Sequence, residues 1–130
     1  MKKIMLSATL LMLFSCATFA QNLEITISGI RNSKGKILLM IESDNLKTPN
    51  KYMSEITGKS CNFVLNNIQE GTYKISAFHD ENGNYEIDKD EKGIPTEGFI
   101  LKTIKINKTD LVSKKDTKID TKLFYPKTAE

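Results

Sequence analysis

Apolar and polar positions alternate along most of this chain with a period of two. Leu23, Ile25 and Ile27 stand between Glu24, Thr26 and Ser28, the pattern of a half-buried first strand. Asn32-Ser33-Lys34-Gly35 reads as a turn. Ile37 to Ile41 is unbroken apolar sequence and predicts a central strand covered on both sides. Asp44 to Lys59 is polar and irregular, with Pro49 inside it, and is expected as a crossover loop with one short helical turn around Tyr52-Met53. Cys61, Phe63 and Leu65 alternate with Asn62 and Val64 and predict a strand, after which Asn66 to Gly71 turns the chain. Thr72 to His79 is the next strand, with Tyr73, Ile75 and Ala77 on one face. Phe99 to Ile106 and Lys118 to Tyr125 follow, the latter setting Ile119, Thr121 and Leu123 against Lys118, Asp120 and Lys122. No stretch carries a sustained helical period. About seven short strands with turn signals between them predict an all-β fold, an antiparallel β-sandwich.

The N-terminus departs from this pattern. Lys2 and Lys3 precede the apolar run Ile4 to Phe14, which is too short to span a membrane. Thr18-Phe19-Ala20 places small residues at the usual cleavage positions. Met1 to Ala20 is therefore read as an export signal, and Gln21 to Glu130 as a single mature domain, periplasmic or secreted. Leu13-Phe14-Ser15-Cys16 carries the alternative, a lipoprotein cleavage box that would leave Cys16 lipidated. After cleavage no segment is apolar enough to cross a bilayer, and the domain is expected as a monomer.

Charge changes the picture little. Removing Lys2 and Lys3 from 19 basic residues leaves 17 against 16 acidic ones, a mature net charge of about +1. The lysines are scattered and not interleaved with aromatics, so a nucleic-acid partner is not expected. The mature chain keeps one cysteine, Cys61, which precludes an internal disulfide. Its alternation with Phe63 and Leu65 makes it a small core residue in one reading and a reactive thiol in the other.

The candidate chemistry lies in Asp80-Glu81-Asn82-Gly83-Asn84-Tyr85-Glu86-Ile87-Asp88-Lys89-Asp90-Glu91. Calcium takes six to eight oxygen ligands, and a short loop supplies them best at alternate positions. With Asp80 as position one, Asn82, Asn84, Asp88 and Glu91 fall at positions three, five, nine and twelve. Glu86 falls at seven, where a backbone carbonyl is wanted, and Ile87 at eight. The metal set is thus Asp80, Asn82, Asn84, Glu86, Asp88 and Glu91, with Ca2+ as the cofactor. Tyr85 replaces the glycine of position six, so the turn is expected to be built differently from an EF-hand. Six acids in one dozen residues, offset within the stretch only by Lys89, repel one another, and a divalent ion would relieve this. The alternative is a solvated turn built by Asp and Asn through local hydrogen bonds.

Glu70-Gly71-Thr72-Tyr73, Ala77-Phe78-His79-Asp80-Glu81-Asn82-Gly83-Asn84 and Gly93-Ile94-Pro95-Thr96-Glu97-Gly98-Phe99 together resemble the DUF2141 family of exported bacterial proteins of unknown function. The resemblance is close from about Gly71 to Phe99. It implies a prealbumin-like (transthyretin-type, Ig-like) sandwich. The run from Asp80 through Asp88 and Glu91 to Gly93-Ile94-Pro95 is also similar to the calcium-binding B repeats of bacterial surface adhesins, and that similarity implies ion ligation at Asp80, Asn82, Asn84, Asp88 and Glu91. After Phe99 the chain departs from the family's usual Ser-Asn segment and Gly-Pro-Pro stretch.

Two functional classes follow. One is a small calcium-stabilised binding or structural module of the cell envelope, not an enzyme, with an envelope or extracellular ligand. The other is a carbohydrate-active or hydrolytic protein using loop carboxylates such as Glu86, Asp88 and Glu97. His79 is the sole histidine, and adjacent strand residues point to opposite faces, so a His79–Asp80 catalytic pair is not expected. Zinc would need further His or Cys ligands, and no nucleophile elbow or phosphate loop is present.

Overall fold

The computed structural model describes residues 21–112 and 116–127. The expected export signal and the Cys16 alternative lie outside the described residues. Seven strands run in chain order: β1 (Gln21–Ser28), β2 (Lys36–Ser43), β3 (Asn50–Glu55), β4 (Ser60–Ile68), β5 (Gly71–Asp80), β6 (Phe99–Ile106) and β7 (Thr117–Lys122). They form a three-stranded sheet, β4-β1-β7, and a four-stranded sheet, β3-β2-β5-β6. The period-two rows read from the sequence become the inner faces of the two sheets. Leu23, Ile25 and Ile27 of β1 share one buried cluster with Ile37, Leu39 and Ile41 of β2, Phe63 and Leu65 of β4, and Ile75 and Ala77 of β5. This is the packing of a β-sandwich. Among the described residues no helix is long and apolar enough to cross a membrane.

Three expectations need correction. The sheets are not wholly antiparallel, because β7 lies parallel to β1, with Ile25 opposite Ile119. Parallel neighbours require a crossover. Here the chain leaves β6 in the other sheet and reaches β7 through a short helix, α1 (Lys108–Val112). Secondly, Asp44 to Lys59 is not a crossover loop throughout. Residues 50–55 form β3, antiparallel to β2, with Leu39 opposite Tyr52. Tyr52, Ser54 and Ile56 are half-buried while Lys51, Met53 and Glu55 are exposed. The alternation exists, but two of its outward residues are charged and one inward residue is a serine. No helical turn forms at Tyr52-Met53. Thirdly, β2 is central but covered by a second layer on one side only. Its outward residues Leu38 and Met40 are half-buried in a surface concavity.

Candidate metal centre

The loop begins where β5 ends. Asp80 is the last residue of that strand and is 1% exposed. Its carboxylate turns into the loop, where Oδ1 accepts the Asn84 N–H at 3.2 Å and Oδ2 accepts the Tyr85 N–H at 2.9 Å. Asn82 and Asn84 each close a local Asx turn. Asn82 Oδ1 accepts Asn84 N–H at 3.2 Å, and Asn84 Oδ1 accepts Glu86 N–H at 3.0 Å. Both amide nitrogens donate to Asp88: Asn84 Nδ2 to Oδ1 at 2.7 Å, and Asn82 Nδ2 to Oδ2. Asp80, Asn82, Asn84 and Asp88 are therefore tied into one oxygen-rich cluster.

Tyr85 takes the conformation that the pattern reserves for glycine. Its φ is +62°, in the left-handed region. The expectation of a differently built turn does not hold at this residue, because two N–H bonds to Asp80 draw the backbone there. The side chain remains 65% exposed.

Glu86 lies in the turn with an exposed side chain, and Glu91 lies exposed in the next turn. That turn wraps Asp90, whose Oδ1 accepts Lys92 N–H at 2.8 Å and Ile94 N–H at 2.9 Å. It forms a small hairpin, with Lys89 bridged to Pro95 and Thr96 N–H donating to the Asp88 carbonyl at 2.8 Å.

The hairpin delivers a residue that the loop pattern passed over. Glu97 is 4% exposed, and its Oε1 has no hydrogen-bond partner. Its Oε2 receives the Asp88 N–H at a long 3.4 Å. Burial, then the Asp88 carboxylate through its charge and a side-chain hydrogen bond, and the charge of Asp80 push the Glu97 carboxyl up to about 7, against a bond from the Asp88 backbone that lowers it. Only the cross-strand register places it there. β5 and β6 pair with Phe78 opposite Phe99, and His79 N–H donates to the Gly98 carbonyl at 2.8 Å. Continuing that register by two positions sets Asp80 opposite Glu97. Counting along the loop hides this, because the relation runs across strands.

Glu81 belongs to a different network. It pairs with Arg31, whose Nε donates to Oε1 at 2.7 Å, and accepts from Asn32 Nδ2 at 3.2 Å. The acidic run is thus offset by Arg31, fifty positions away, as well as by Lys89. Arg31 also lies 4.6 Å from the centre of the Tyr125 ring. His79 is fully buried beneath, its Nε2 at 2.6 Å from the Lys34 carbonyl and its Nδ1 at 2.9 Å from the Tyr125 hydroxyl. A carbonyl only accepts, so Nε2 carries the hydrogen and the hydroxyl is the fitting donor to Nδ1. Both nitrogens are engaged in holding β5 against the loop at 29–35 and the C-terminal segment.

Among the described residues, no group of three or more His, Cys, Asp or Glu side chains stands ready to hold a metal. The present cluster mixes carboxylates with asparagine amides, and all its donors are hard oxygens, which suit calcium or magnesium and not zinc. On the other side of the loop, Tyr85 and Ile87 lean over the outer face of the four-stranded sheet. There they help to line a cavity of about 710 Å³.

The family model described as an uncharacterized protein conserved in bacteria, DUF2141, matches residues 25–110. The chain belongs to this family. The DUF2141 match extends well to either side of the Gly71–Phe99 stretch and past the departure noted after Phe99. No curated protein matches the chain. No solved structure matches it either.

Proposed function

We propose that this DUF2141 domain is a calcium-stabilised binding or structural module of the cell envelope, exported and non-catalytic. The observation that carries the reading is Glu97. A buried carboxylate oxygen without a partner costs folding free energy, and this one lies against Asp88 and Asp80. A cation bound by Asp80, Asn82, Asn84, Asp88 and the Glu86 carbonyl, with Glu97 in the role first given to Glu91, would satisfy it. The two amide N–H contacts to Asp88 would give way to the ion. Each asparagine oxygen keeps a lone pair for ligation beside its turn bond. The similarity of the loop to adhesin B repeats supports the same ion.

The hydrolytic reading asks for a reachable carboxyl that holds its proton near neutrality. Glu97 is raised to about 7, but its burial gives a sugar no path to it, and it does not line the cavity. The ion reading accounts for both facts.

Thermal melts test the proposal. An extracellular-type site binds calcium with Kd about 10⁻⁴–10⁻³ M. At ten times Kd the stabilisation is about 1.4 kcal/mol, or about 5 °C in Tm for a domain of this size. The rise is expected in millimolar calcium over chelator, smaller with magnesium, and absent in the Asp80→Ala, Asp88→Ala double variant. An unchanged midpoint would reduce the loop to a solvated turn.

A further inference from the structure

On the outer face of the β3-β2-β5-β6 sheet two largely apolar rows lie between the ion pairs Lys36–Glu55 and Lys74–Glu42. Leu38 stands opposite Met53 on one side and Phe78 on the other, and Phe78 stands opposite Phe99. In the next row Met40 stands opposite Lys51 and Ser76, and Ser76 opposite Leu101. Met53 and Leu101 are more than half exposed. The face is concave rather than flat, because Tyr85 and Ile87 rise along one side and enclose a volume of about 710 Å³. That is within the range of small-ligand sites, about 300–1,000 Å³. Lys51 is the one charged residue in its lining.

We propose that this concavity binds a single free long-chain carboxylate, its apolar chain along the Leu38–Phe78 row and its carboxylate at Lys51. The apolar rows would take a hydrocarbon chain, and the lone ammonium selects one negative charge. Methionines at positions 40 and 53 adapt to a flexible chain. A second copy of the protein fits less well. A two-fold contact would set two identical concavities face to face and leave a void between them. The proposal does not rest on ion binding, since the Leu38 and Met40 rows and Lys51 belong to the sheet itself.

Calorimetric titration with decanoate, dodecanoate and tetradecanoate, each below its micelle concentration, tests it. The expected result is one ligand per chain, tightening about fourfold per added methylene. Lys51→Gln, an exposed edge-strand change, should weaken dodecanoate about two- to fivefold and leave dodecanol unaffected. Met40→Glu, which sets a carboxylate among the apolar rows, should abolish binding while the melt remains cooperative. Chain-length-independent heats, binding to lipid vesicles but not to free carboxylates, or a dimer that dodecanoate fails to dissociate would each overturn the proposal.

Discussion

Replacing Glu97 by glutamine separates the two roles given to this residue. In the ion-free protein its proton is held up to about 7 against an ordinary 4.5. The folded state therefore binds that proton more tightly than the unfolded chain does. The resulting stability is fully present below about pH 4.5 and is lost as pH rises through about 7. At 1.36 kcal/mol per pH unit, the gap is worth about 3 kcal/mol at most. Glu97→Gln keeps the shape, removes the charge and can donate to Asp88. In chelator at pH 8 the variant should be more stable than the parent by up to that amount, about 10 °C in Tm. At pH 4.5 the two should melt together. In calcium the gap narrows: the parent gains about 1.4 kcal/mol at ten times Kd and the variant gains nothing. Melts of both proteins from pH 4.5 to 8, in chelator and in calcium, read all of this. A variant that melts with the parent in chelator at pH 8 and still responds to calcium would refute the reasoning.

Three further outcomes follow from the packing. Gly35 has φ +67°, and a Cβ there would lie 1.8 Å from the Asp80 carbonyl; Gly35→Ala should cost about 2–4 kcal/mol by melting in chelator, independent of any ion. Tyr85→Gly should relieve left-handed strain and stabilise the ion-free protein by no more than about 1 kcal/mol, because the unfolded chain gains freedom in return. Cys61 is buried and its thiol is pushed up to about 11 by burial; a thiol reagent at pH 8 should modify it at the rate of unfolding, with full reaction in denaturant.

Much of the fold was legible because its strands bury one face. Leu23-Ile25-Ile27, Cys61-Phe63-Leu65 and Tyr73-Ile75-Ala77 each alternate cleanly, and each became an inner row. β3 was illegible because an edge strand needs few apolar residues, and Tyr52 is its one residue packed against the core, with Ile56 just past its end. The parallel pairing of β7 with β1 was illegible because a period-two pattern carries no strand direction. At the site, Asp80, Asn82, Asn84 and Asp88 were legible as a spaced loop. Glu97 and Arg31 were not, since a neighbouring strand and a distant turn bring them there. Leu38 and Met40 sat within the apolar run Ile37 to Ile41, which read as a doubly covered strand, although one side opens into the cavity.

Calcium titration followed by backbone amide NMR tests the central claim most directly. The account predicts that amides from Asn82 to Asp88, together with Glu97 and Gly98, shift and saturate with one ion per chain. Lys92 in the next turn should move little. Unsaturating drifts spread over exposed carboxylates such as Asp44, Glu70 and Asp120, with Glu97 silent, would contradict it.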